Sequence, residues 1–300
     1  MSDSIDTSFI RQYERDVHDV FQKKGSVLKP GVRMKRDIVG ESTTFQKVGK
    51  GVATTKARHG VITPMNQSHT AITCTLEDFY AGDFVDRLDE AKTNIDERGV
   101  ISRGGAMALG RKVDEQIFTQ LDATSQSAVS WVISSAGAVR NSVTEMIKDL
   151  ITNNSYEPGM NFGVLSPVAW QMLMTVKEFQ GADFVGADGM EFTKGVPLGS
   201  PRYKDWLGVL WAVHSANPGV GTATSKQFVW HKEAVGYATG KHAANLAGTM
   251  GRETSVGADI TWVGTRASHF VNHAMSGGGC LIDDLGVIEG QLDDTGTVPV

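Results

Sequence analysis

The apolar positions along this 300-residue chain change period several times, and each change predicts a different element. In residues 8–22, "SFIRQYERDVHDVFQ", Phe9, Tyr13, Val17, Val20 and Phe21 fall on one face at helical spacing, with Asp6 and Thr7 available as caps. An amphipathic N-terminal helix is expected there. From 31 to 76 large apolar residues become sparse, Thr and Gly become frequent, and Ile72, Cys74 and Leu76 alternate with Thr73 and Thr75. That is the pattern of β-strands. Gly60 and Pro64 lie near the middle of the region, so it reads as one long hairpin. Arms of about 12–15 residues at roughly 3.3 Å each would span about 40–50 Å, and a two-stranded ribbon of that length is marginal alone in water. Its sequence is too poor in large apolar residues to form a core, so a neighbouring subunit is the expected support.

Beyond the hairpin, "EDFYAGDFVDRLDEAKTNI" places Phe84, Leu88, Ala91 and Ile95 at helical intervals and predicts a helix with an acidic outer face. "RGGAMALGRKVDEQIFTQL" sets Ala106, Leu109, Val113, Ile117 and Leu121 along one stripe, a helix of four to five turns after a flexible start at Gly104 and Gly105. Ser142 and Glu145 in "NSVTEMIKDLI" have the spacing of a capping box, with Val143, Met146, Ile147 and Leu150 turned inward. "FGVLSPVAWQMLMTV" predicts a buried strand, then Ser166 as N-cap and Pro167 at the first helical position. The Gly/Asp-rich stretch at 180–201 reads as a long loop. "LGVLWAVH", "QFVWH", "ADITWVG" and "CLIDDLGVIEG" are strand candidates, and "QLDDTGTVPV" reads as a loose polar end. The sum is an α+β chain with one extended projection, without a repeating βαβ pattern or an internal repeat.

Charge adds one feature to this picture. The formal net charge of −5 supplies no global attraction to a polyanion, but residues 11–60 hold 12 Lys/Arg against 5 Asp/Glu, while 61–100 hold 3 against 8. A basic segment is followed directly by an acidic one, which suits pairing between copies as well as a solvated surface. Cys74 and Cys280 are the only cysteines and form no CxxC pair, so neither a disulfide framework nor a thiolate zinc site is indicated, and a reducing compartment fits. The N-terminus lacks a basic start followed by an apolar run, and no window reaches the roughly 18 apolar residues of a membrane span, so a soluble protein without a membrane partner is expected.

Catalytic chemistry finds little footing. The run "FQKVGKGVATTKARHG" looks like a phosphate cradle, but Gly49, Lys50 and Gly51 are followed by Val52 with no GK[ST], and a dinucleotide turn would need glycine where Thr54 stands. "GYATGKH" at 236–242 fails on glycine spacing and ends in His. His269 and His273 are four apart but have neither the Glu of HExxH nor a third convergent ligand. His231 and Lys232 sit at a strand end. No GxSxG elbow exists, and the neighbouring acids Asp283/Asp284 and Asp293/Asp294 would point to opposite faces of a strand. No enzyme, cofactor or metal is therefore expected. Direct nucleic-acid binding would rest on phosphate contacts alone, since the basic run has a single aromatic, Phe45.

The order of elements resembles the major capsid proteins of tailed phages with the Hong Kong 97 coat fold. The likeness is carried by "FQKVGKGVATTKARHGVITPMNQSHTAITCTLEDFYAGDFVDRLDEAK", "GGAMALGRKVDEQIFTQL", "FVWHKEAVGYATGK" and "ADITWVGTRASHFVNHAMSGGGCLIDDLGVIEG", and it covers nearly the whole chain. It implies an N-terminal arm at 1–39, an E-loop at 40–76, a peripheral domain at 77–122 with its spine helix at 103–122, an axial domain at 123–257 with 181–195 at its tip, and return strands with a tail at 258–300. It further implies hexamers and pentamers that close into an icosahedral shell around double-stranded DNA. An E-loop laid across an adjacent subunit agrees with the length argument. Lys47, Lys50, Lys56 and Arg58 are then expected to face a neighbour's acids, with Asp83, Asp86, Asp89 and Glu90 as partners. Some members of this fold join an E-loop lysine to an asparagine beside a glutamate; no such pair matches here, so no cross-link is expected. A separate scaffolding protein and a portal are the further partners implied, with assembly in the host cytoplasm, and the sequence leaves open whether a decoration protein attaches. A nanocompartment shell of the encapsulin type and a non-specific nucleic-acid binder using 45–60 remain as alternatives.

Overall fold

The computed structural model describes residues 25–88, 97–180, 203–241 and 257–295. The expected helix at 8–22, the stretch 181–195, Asp89 and Glu90 lie outside them. In chain order the elements are β1 (Arg33–Ile38), β2 (Ser42–Val48), β3 (His69–Thr75), β4 (Glu77–Asp86), α1 (Glu97–Leu121), β5 (Val129–Ser130), α2 (Ala136–Thr152), β6 (Asn161–Leu165), α3 (Pro167–Leu173) and α4 (Lys177–Gln180). They continue with β7 (Lys204–Trp206), β8 (Val209–Val213), β9 (Ser225–His231), β10 (Val235–Gly240), β11 (Gly257–Val263), β12 (Ser268–Leu281) and β13 (Val287–Leu292). The chain divides into two compact units, to both of which α1 and β12 contribute.

The larger unit holds the main core. Six strands run in the order β5-β13-β9-β6-β8-β7, and every residue of β6 is buried, as the apolar run "NFGVL" requires of a central strand. Helix α2 lays Val139, Val143, Met146, Ile147 and Leu150 on this core beside Trp211, Val229 and Ile288. Its cap is Ser135, whose hydroxyl accepts from the Ala138 amide at 3.2 Å, and not the expected Ser142. Ser142 lies two turns into the helix, where its hydroxyl donates to the Ala138 carbonyl at 3.1 Å and accepts from the Val132 amide at 3.1 Å. Ala136, Gly137 and Ala138 carry no side chain that competes for the helix start, so nucleation reaches back to Ser135. Helix α3 begins as its sequence predicts, with Ser166 capping and Pro167 following. "CLIDDLGVIEG" is not one strand. Asp283 accepts from the Leu285 amide at 3.2 Å and turns the chain through Asp284–Gly286 between β12 and β13.

In the smaller unit, β11 pairs antiparallel with β12 from Gly257↔Ala274 to Val263↔Ser268, and β4 also pairs with β12. The helix expected across 77–95 gives way to strand β4 over its first ten residues. Phe79, Ala81 and Val85 turn inward at a period of two, and Val85 is 1% exposed whereas Phe84, the first position of the supposed helical stripe, is 40% exposed. Gly82 explains the preference, since a Cβ there would meet the Phe270 ring at 2.7 Å and the Val271 carbonyl at 2.9 Å. Helix α1 starts at Glu97, ahead of Gly104 and Gly105. Gly105 is therefore no flexible lead-in; a Cβ on it would lie 2.6 Å from His273 Nδ1. Leu109, Val113, Ile117 and Leu121 are buried as the stripe predicts, while Ala106 is exposed.

Candidate functional site

The hairpin forms, but its ladder is shorter than its sequence suggests. Strands β2 and β3 pair from Ser42↔Thr75 to Val48↔His69. Beyond them the two arms stay together through Gly49 N to Ser68 O at 2.8 Å and Thr54 Oγ1 to Thr63 O at 3.4 Å, and they turn at Ala57–Gly60, where the Gly60 amide donates to the Ala57 carbonyl at 3.0 Å. Gly49, Gly51 and Pro64 interrupt the strands there. Every residue from Lys50 to Ala71 is exposed. The run includes Val52 at 72%, Val61 at 92%, Ile62 at 70% and Met65 at 51% exposure.

The root of the hairpin is seated firmly. Phe45, Cys74 and Leu76 are buried against Ala238, Cys280 and Ile282. Burying a side chain such as Phe45 contributes about 1.5–3 kcal/mol. Lys35 stands 4.8 Å from the centre of the Phe45 ring and donates to the Thr44 carbonyl. Lys47 Nζ is 2.8 Å from Asp283 Oδ1, a partner 236 positions away, and Lys50 Nζ is 3.3 Å from the Asn153 carbonyl. Thus two of the four predicted cations reach their own chain. Lys56 and Arg58 stand exposed at the tip, with no ion pair among the described residues. Of the predicted acids, Asp83 is exposed and accepts from the Phe84 amide at 2.8 Å, while Asp86 is half-buried and accepts from the Leu88 amide at 2.7 Å.

Several structurally important groups escaped the sequence patterns. Asp114 on α1 is 2% exposed; it accepts from Val27 N at 3.0 Å, Leu28 N at 3.1 Å, His214 Nε2 at 3.0 Å and the Ser26 hydroxyl. Burial opposes its ionisation, but these donors, His214 foremost, outweigh burial and lower its pKa. Tyr203 donates to the Val27 carbonyl, and burial followed by the nearby Asp114 charge raises its pKa. Trp230 Nε1 donates to the Gly31 carbonyl at 2.7 Å. Together these bonds anchor the segment that leads into β1 and the hairpin. A second anchor is Asp284, which accepts from Thr124 Oγ1 at 2.8 Å, from the Ser125 amide at 2.8 Å and from Gln126 Nε2 at 2.8 Å. Burial opposes its ionisation too, yet the donors prevail and hold it at about 2. The polar tail is bound as far as Asp294, which is 9% exposed and accepts from Ser166 Oγ at 3.1 Å and Gly221 N at 3.3 Å. Mutual hydrogen bonds of this kind leave no local trace in a sequence.

None of these groups converges on a reactive centre. Among the described residues, no three His, Cys, Asp or Glu side chains are arranged to hold a metal ion. His273 is buried with Nε2 3.2 Å from Ser102 Oγ, and His269 meets the edge of Trp262. His231 accepts from the Glu233 amide at 3.2 Å. No described helix is long and apolar enough to cross a membrane.

The profile of the family described as phage capsid protein matches residues 5–294. The chain belongs to that family. This capsid protein is also similar to the capsid of cyanophage P-SCSP1u, with a TM-score of 0.70 at 14% identity over 96% of this chain and 94% of that one. A structure from Mycobacterium phage Che8 gives 0.68 at 16% identity over 97% and 98%, and the capsid of Ralstonia phage GP4 gives 0.67 at 10% over 98% and 97%. At such identities the likeness establishes the fold, and the expected α+β coat fold of tailed-phage capsids is borne out. No curated protein sequence matches the chain. The protein is a major capsid protein that forms the viral shell, and its place is the virion.

Proposed function

We propose that the capsid protein assembles through hexamers and pentamers into an icosahedral shell around phage DNA, each hairpin lying across an adjacent subunit. The observation that carries this is the uncovered run from Lys50 to Ala71. An exposed ribbon bearing Val52, Val61, Ile62 and Met65 gains about 1.5–3 kcal/mol for each such side chain it buries fully on a partner. Lys56 and Arg58 at its tip meet acids of that neighbour, with Asp83, Asp86, Asp89 and Glu90 as the candidates. Each exposed pair contributes about 0–1 kcal/mol, and the contacts repeat around a closed shell.

On this proposal residues 1–39 act as an N-terminal arm, 40–76 as the E-loop, 77–122 with 258–300 as the peripheral domain and 123–257 as the axial domain. The protein works as a structural subunit and not as an enzyme, without a covalent cross-link between copies. It assembles in the host cytoplasm with a scaffolding protein and a portal, and touches packaged DNA through non-specific contacts. Electron microscopy of particles formed by the full chain is the test, with hexameric and pentameric capsomers and hairpins crossing subunit boundaries as the expected result; a shell in which each hairpin lies on its own subunit overturns the proposal. Replacing Lys56→Glu and Arg58→Glu together should lower particle yield by about tenfold, equivalent to about 1.4 kcal/mol, while leaving the subunit's circular dichroism unchanged. Wild-type yield from this variant would refute the tip contact alone.

A further inference from the structure

Cys74 and Cys280 are remote in sequence, but the fold brings them together. Both are free and buried, at 0% and 5% exposure, in the cluster that seats the hairpin root. The Cys74 thiol donates to the Gly278 carbonyl at 3.2 Å. Gly278 and Cys280 lie two apart on β12 and so face the same way. A Cβ on Gly278 would run into the carbonyl of Thr75, so the lack of a side chain lets β3 approach β12 at this level. Cys280 pairs with Gly236 on β10, and a Cβ built on Gly236 would be 3.0 Å from both Cys280 Sγ and the Phe45 ring. Because Phe45 and Cys74 share one face of the hairpin, the Cys280 sulfur lies beneath that face. The side chains of Cys74 and Cys280 thus pack in one buried cluster, and each thiol perturbs the ionisation of the other.

We infer that Cys74 and Cys280 are an oxidisable dithiol that a peroxide closes to an intrachain disulfide, stapling the root of the hairpin to β12. The effect of the Cys280 thiol outweighs burial and, helped by the Ala238 backbone and the Lys35 charge, lowers the Cys74 pKa. The Cys74 thiol, followed by burial, raises the Cys280 pKa. Cys74 is therefore the attacking sulfur and Cys280 the resolving one. The Cys74 sulfur attacks a peroxide oxygen, the O–O bond breaks, and a sulfenic acid forms with loss of one water. The Cys280 sulfur then attacks the Cys74 sulfur, the S–O bond breaks and a second water leaves with the remaining thiol proton. Two thiols and one hydrogen peroxide thus give one disulfide and two waters. Since both sulfurs are buried, reaction follows opening of the hairpin root, and the product holds that root closed. The chemistry lies within one chain and stands whether or not the hairpin docks on a second copy.

The experiment treats the full chain with hydrogen peroxide, unfolds it in an alkylating agent, and maps the peptides by mass spectrometry beside a non-reducing gel. Alkylatable thiols should fall from two to none per chain, a Cys74–Cys280 linked peptide should appear, and the faster-migrating monomer should revert with reductant. Cys280→Ser should instead leave a trappable sulfenic acid on Cys74. Two alkylatable thiols after treatment, sulfinic acid without the linked peptide, or linkage only between chains would each overturn the inference. The wild-type map decides the matter even if the variant fails to fold.

Discussion

Replacing Asp114 with Asn tests whether its buried carboxylate anchors the segment that feeds the hairpin. The Oδ1 atom accepts from the Ser26 hydroxyl and the Leu28 amide, and Oδ2 accepts from the Val27 amide and His214 Nε2. His214 Nδ1 already accepts from the Ala216 amide at 3.0 Å, so Nε2 carries the ring proton and cannot become an acceptor. An asparagine therefore sets its NH2 against donors whichever way it turns. Its less costly orientation puts the NH2 at the Oδ1 position, where the Ser26 hydroxyl can rotate to accept but the Leu28 amide cannot. Leu28 is fully buried, so its orphaned N–H costs about 1–3 kcal/mol, and the remaining bonds weaken as their acceptor loses its charge. The expected loss is about 2–4 kcal/mol, with Asp114→Ala losing about 3–5 kcal/mol. Urea unfolding of the unassembled subunit, followed by tryptophan fluorescence, measures it. A stability within about 0.5 kcal/mol of wild type for Asp114→Asn would refute this account.

Gly278→Ala sets a methyl group against the Thr75 carbonyl, a backbone atom that cannot swing away, and should cost about 1–3 kcal/mol. Faster hydrogen exchange at the Phe45 and Cys74 amides is the measurement, and unchanged protection would count against the close approach. Asp284 titrates at about 2 in the fold against an ordinary value of 3.8, so its stabilisation is complete above the ordinary value and disappears as pH falls through about 2. Because much of the side chain is open to solvent, this amounts to about 1 kcal/mol. The stability gap between wild type and Asp284→Asn should narrow from pH 6 to pH 3, and a constant gap would show that its hydrogen bonds do not depend on charge.

Parts of the site were legible where a single element carries its own pattern. Ser166 and Pro167 marked a helix start, Leu109 to Leu121 marked a buried stripe, and the alternation about Cys74 marked a strand. Errors arose where a residue's neighbour in space decided its state. Gly82 falls inside the expected helix and Gly105 in the expected flexible start, yet each is a point where another chain segment comes within van der Waals reach. No local pattern signals that Lys47 stands 2.8 Å from Asp283 of its own chain. Ser142 and Glu145 have the spacing of a cap, but an interior serine that serves two backbone groups fits the same spacing.

The sequence by itself determined that a basic, glycine-interrupted ribbon would project without a core of its own, because the periods and volumes of side chains limit what a segment can bury. It also determined the coat-protein order of elements. Only the tertiary structure decided which hairpin cations reach their own chain, since that depends on Asp283 and the Asn153 carbonyl, each more than a hundred positions away, and that two cysteines with no motif between them share one cluster beneath the hairpin. Such pairings follow from how strands stack in three dimensions, and no local pattern encodes them.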